Sequence, residues 1–113
     1  MLIPIPYVHA GMGLLTVFLS VPLMMKKIPM NRAYGIRIKK AFVSDRNWYE
    51  VNAYGGRLFL VFGIFLVGFS YFSYDFAPSP ASPWAPVFLV IPLILIVPIV
   101  ILINLYARKL PDL

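Results

Sequence analysis

Three long apolar runs, separated by one basic segment and one proline-rich segment, constrain this chain more than any other feature. They lie at about residues 3–25, 56–74 and 86–106. A bilayer core is ~30 Å thick and takes ~20 apolar helical residues to cross. The first and third runs reach that length directly. The second reaches it only with Gly55, Gly56 and Tyr74 at its ends. The chain therefore reads as all-α, an integral membrane bundle of three transmembrane helices in a single transmembrane domain over residues 1–113. Composition closes off the soluble alternative. With 61% hydrophobic and 12% charged residues in 113, the apolar excess is larger than a small core can hide.

Charge placement sets the expected orientation. The formal net charge of +6 resembles a nucleic-acid signal until it is mapped. Residues 26–57 hold eight Lys or Arg against Asp45 and Glu50, and the remaining charges cancel. All the excess thus lies between the first two runs, whereas the segment after the second run has no Lys or Arg. This is the positive-inside pattern. It places an inner basic loop at 26–55, an outer proline-rich loop at 75–85, the N-terminus outside and the C-terminus inside. Membrane lipids and other membrane subunits are the expected partners, and nucleic acid is not. The opening Met1-Leu2-Ile3-Pro4 has no basic n-region and no small-residue cleavage pattern follows, so the first run is expected to stay in the mature protein. The absence of Cys removes disulfides and thiolate chemistry.

The first run carries His9, Gly13, Thr16 and Ser20 on one helical face. Small and weakly polar residues mark where membrane helices touch, because lipid offers no hydrophobic drive for association. Gly56 and Gly63 supply a matching small face on the second run, and close packing of Gly13 near Gly63 is the expectation. A helix-contact role is favoured for His9. The alternative is that its imidazole serves as an axial ligand to a haem or chlorophyll held together with partner subunits. No intrinsic cofactor and no metal site are expected otherwise. Pro92 and Pro98 in the third run read as bends in a packing helix. The single His and four acidic residues are scattered between the two sides, so no catalytic constellation forms and an enzyme is not expected.

The basic segment has local structure of its own. Ser44-Asp45 reads as a helix N-cap and first turn. Residues 46–54 place Trp48, Val51 and Gly55 on one side and Arg46, Asn47 and Glu50 nearer the other. This predicts a short interfacial amphipathic helix anchored by Trp48, with Gly55-Gly56 turning the chain into the second span. Upstream, Arg32 and Arg37 flank a tight turn at Tyr34-Gly35. With Lys39 and Lys40 they could converge on an anion, and guanidinium forks suit phosphate.

The run Asn31-Arg32-Ala33-Tyr34-Gly35-Ile36-Arg37, then Lys40-Ala41-Phe42, Ser44-Asp45, Trp48-Tyr49, Asn52 and Gly55-Gly56, resembles the SdpI-type family of bacterial membrane proteins. The resemblance covers about residues 20–70. It departs from the common family pattern at Ile38-Lys39, where many members have Thr-Pro, and at Asn52-Ala53, where many carry Arg or His. What it implies is a multi-pass protein of the bacterial inner membrane, with a role in immunity to a secreted peptide toxin or in holding a repressor at the membrane. The lipid- or partner-binding residues would be Asn31, Arg32, Tyr34, Gly35, Arg37, Trp48 and Asn52. The function expected first is nevertheless non-enzymatic, an accessory or structural subunit of a larger membrane assembly, respiratory or photosynthetic, acting by helix packing and by binding protein or lipid, with the immunity or signalling role as the alternative.

Overall fold

The computed structural model describes residues 3–112. It is all-helical, with α1 at Ile5–Met24, a 3-10 turn at Lys39–Val43, α2 at Asp45–Ser73 and α3 at Ala85–Ala107. Each of the three long helices is apolar enough to cross a membrane. The bundle measures 52 × 22 × 22 Å, which suits a hydrocarbon core of ~30 Å with an interfacial layer beyond it. At ~1.5 Å per residue, α1 is just long enough to span the core, whereas the 29 residues of α2 run on for about nine residues more.

That extra length corrects the expected boundary. The separate interfacial helix does not exist: Asp45 to Tyr54 are the first turns of α2, and Gly55-Gly56 continue the helix instead of turning it. Two glycines cost about 1 kcal/mol each in a helix interior. Breaking the backbone ladder beside lipid would cost more, since each unsatisfied group costs several kcal/mol there. Gly56 in addition faces backbone that cannot step aside, whereas Gly55 faces only the tips of isoleucine side chains. A Cβ on Gly56 would lie 2.9 Å from the Met24 nitrogen and 3.1 Å from the Ser20 oxygen, and one on Gly55 would collide with Ile36. The helix starts where the Ser44 side chain accepts the Asn47 N–H at 3.0 Å, with Asp45 favourable in the first turn.

α1 and α2 form the tight antiparallel pair, and α3 leans chiefly on α2. Small residues seven apart set the register. Gly13 faces Gly63 and Ser20 faces Gly56, so a Cβ on Gly13 would come 2.6 Å from the Gly63 carbonyl oxygen. Close backbone approach of this kind lets two helices gain dispersion contacts without a hydrophobic drive. Ser20 and Thr16 return their hydroxyls to carbonyls one turn back, at 2.5 and 2.7 Å, which keeps them neutral toward lipid.

Two helix details follow from single residues. α1 ends in a Schellman motif: Lys26 N–H reaches the Leu23 carbonyl and Lys27 N–H the Pro22 carbonyl, with Lys26 in the left-handed region at φ +59. In α3, Pro92 cannot donate to the Phe88 carbonyl one turn back. His9 supplies the missing donor, its Nε2 lying 3.1 Å from that oxygen. His9 is fully buried and its ring packs beside Phe69, so it ties α1 to α3 at the proline-rich end.

Candidate functional site

The distinctive chemistry lies at the basic end, in the connection from α1 to α2. Twenty polar-rich residues there form no long helix, so their backbone groups need partners. The first turns of α2 provide them from three buried side chains. Trp48 Nε1 donates to the Ile28 carbonyl at 2.8 Å. Asn47 Nδ2 donates to the Lys40 carbonyl at 3.1 Å and to that of Pro111 at 2.8 Å. Asn52 pairs with both backbone polar groups of Ile36, accepting its N–H at 2.6 Å and donating to its carbonyl at 3.3 Å. Its second N–H goes to the Trp48 carbonyl at 2.9 Å. All three residues are at most 2% exposed.

Within the loop, Asn31 builds an Asx turn. Its Oδ1 accepts the N–H groups of Ala33 and Tyr34 at 2.9 and 2.7 Å, and its Nδ2 donates to the Pro29 carbonyl. The Tyr34 hydroxyl donates to the Leu19 carbonyl on α1. Burial pushes its phenol above the ordinary range, which keeps it a neutral donor. Gly35 sits at φ +123, and a Cβ there would meet Asn52 Oδ1 at 2.9 Å and the Trp48 ring at 3.0 Å. Only glycine meets both the backbone and the steric requirement.

Asn31, Tyr34, Gly35, Trp48 and Asn52 therefore hold the loop in shape from within. Arg32 and Arg37, the two charged side chains of the Asn31-to-Arg37 turn, are exposed. Arg37 donates one N–H to the Arg32 carbonyl at 2.6 Å, and the Arg32 guanidinium lies 5.8 Å from the Phe42 ring centre, within cation–π range. Together with Gly35, Ile38 and Phe42 they line an open cavity of about 490 Å³. Neither guanidinium makes an ion pair among the described residues.

Two expectations about this region change. Trp48 is fully buried and packs beneath the turn, so it does not anchor the chain in the interface. Asn47 is fully buried too, not on the polar side, because the loop folds back over that face of α2. Sequence reasoning also missed a polar cluster joining α2, α3 and the turn that ends α1. Glu50 accepts from Lys26 Nζ at 3.2 Å and from the Tyr106 hydroxyl at 2.9 Å, and Tyr106 stacks on Tyr54 with ring centres 4.2 Å apart. The one signal for it was that Glu50 is the sole glutamate in the chain.

The sequence matches the SdpI/YfhL protein family over residues 27–103. That span takes in the loop, α2 and most of α3. The chain belongs to the SdpI/YfhL family. It is a small multi-pass membrane protein of that family, and the pinned loop falls inside the matched region. No curated protein and no solved structure matches the chain significantly.

Proposed function

We propose that this SdpI/YfhL-family protein is a non-catalytic accessory subunit that binds an acidic surface of a membrane partner through Arg32 and Arg37. The observation that carries the reading is the division of labour in the loop. The neutral motif residues are consumed by internal hydrogen bonds, while the two arginines stand outward around one cavity. A pinned loop loses little further freedom when it binds, so its charges are preorganised. The basic end faces the cytoplasm of a bacterial inner membrane in this reading, following the Lys/Arg asymmetry. His9 acts as a helix tie in this reading, its Nε2 donating to the Phe88 carbonyl and its ring buried between the helices.

Family membership equally supports a second reading, toxin immunity or membrane signalling, in which the same arginines hold a regulator at the membrane. Native gel migration in mild detergent tests the first reading. Wild type is expected in a larger assembly, and Arg32→Lys with Arg37→Lys is expected to run free, because Lys cannot give bidentate recognition. Equal migration of both would overturn the arginine site. Protection of cells from a secreted peptide toxin, without any assembly, would favour the second reading. Reporter fusions at Pro80 and after the C-terminus should report opposite sides, and the same side for both would reject the orientation.

A further inference from the structure

Beside the arginine cavity lies a groove with a different character. Its mouth, about 390 Å³, is lined by Ile38, Lys39, Lys40, Asn104, Ala107 and Arg108. A narrower cleft of about 150 Å³ adjoins it, sharing Ile38 and Asn104 and adding Ile36, Phe59, Val100 and Ile103. The mouth is cationic and sits at the basic end. The cleft is apolar and runs between α2 and α3 toward the middle of the bundle. Lys40 is held by Asp112 at 2.7 Å, whereas Lys39 and Arg108 are exposed and make no ion pair among the described residues. Asn104, also exposed, donates its side-chain N–H to the Val100 carbonyl at 2.9 Å.

We propose that this groove binds one anionic phospholipid, its phosphate between Lys39 and Arg108 and one acyl chain in the cleft beside Phe59, Val100 and Ile103. The order of chemistry decides the occupant. Cations lie at the end of the bundle and apolar walls lie deeper, which is the order of an amphiphile's own groups in a leaflet. A partner helix, about 10 Å across, does not fit a cleft of this volume, whereas an unbranched chain does. Unpaired Lys and Arg at the membrane surface favour anionic over zwitterionic headgroups by roughly fivefold each, or roughly 30-fold for the pair. The site is separate from Arg32 and Arg37 and stands or falls independently of the partner reading.

Native mass spectrometry of the full chain from mild detergent tests it, with phosphatidylglycerol, phosphatidylcholine and glycerol phosphate as probes. One phosphatidylglycerol is expected to stay bound, with the roughly 30-fold preference over phosphatidylcholine. Lys39→Gln with Arg108→Gln should abolish the preference, and both residues are exposed, so folding should survive. Val100→Trp fills the cleft and keeps the charges. It should lose the lipid, while Val97→Trp, on an exposed position outside the cleft, should keep it. Retained preference in the double Gln variant, lipid binding unchanged by Val100→Trp, or glycerol phosphate binding as well as the lipid would each overturn the proposal. Arg32 and Arg37 are untouched in every variant, so migration of the assembly reports on the partner site separately.

Discussion

The His9–Phe88 bond makes a sharp test, because two residues on different helices depend on each other through one carbonyl. Pro92 removes the intrahelical donor to the Phe88 oxygen, and His9 Nε2 replaces it at 3.1 Å. A carbonyl only accepts, so the proton sits on Nε2 and the buried Nδ1 is a bare acceptor without a partner among the described residues. His9→Leu keeps the volume and strips the donor. An unsatisfied buried group costs ~1–3 kcal/mol, although cross-helix hydrogen bonds in membranes average ~0.6 and reach ~1.7 kcal/mol. Leu also relieves the orphaned Nδ1, so the single variant understates the bond. Pro92→Ala restores the N–H to the helix and satisfies Phe88 without His9. The His9→Leu cost should then shrink, giving a coupling energy of about 0.6–1.7 kcal/mol in the double-mutant cycle. Reversible unfolding of the four proteins in detergent or bicelles measures it. Additivity within ~0.3 kcal/mol would refute the claim that His9 serves the carbonyl that Pro92 frees.

Glycine positions separate by what surrounds them. Gly63→Leu should destabilise the bundle by about 1–3 kcal/mol or more, since the added Cβ meets the Gly13 oxygen at 2.7 Å and backbone cannot step aside. Gly68→Leu, with nothing within 4 Å, should be tolerated, and equal melting of the two variants would contradict the packing register. Asn52→Ala should cost about 2–3 kcal/mol by freeing both polar groups of Ile36. Hydrogen exchange at the Ile36 amide should rise more than at helix interiors, and unchanged exchange there would sink the loop-pinning role. Lys26→Gly relieves a left-handed φ worth ~1 kcal/mol and loses an exposed ion pair with Glu50 worth ~0.2–1 kcal/mol. The net change in chemical denaturation should be neutral to slightly stabilising, and a loss above ~1 kcal/mol would mean that the ion pair dominates.

By itself the sequence determined the three helices, the concentration of charge at one end and the family, because hydropathy, charge position and motif spacing are linear properties. The small face on α1 was legible too, since helical periodicity puts His9, Gly13, Thr16 and Ser20 together. Tertiary structure decided which glycines matter. Gly11 and Gly13, or Gly63 and Gly68, are alike in the chain, yet only Gly13 and Gly63 have a facing backbone. It also decided that Gly55-Gly56 continue a helix, because the reward for keeping them helical comes from Ser20, Met24 and Ile36, which are distant in sequence. Likewise Asn47 reads as polar surface and Trp48 as an interfacial anchor when helical periodicity is taken alone. They become internal fastenings once the loop folds back onto α2, because its unpaired backbone groups must find partners and these side chains are the donors and acceptors within reach.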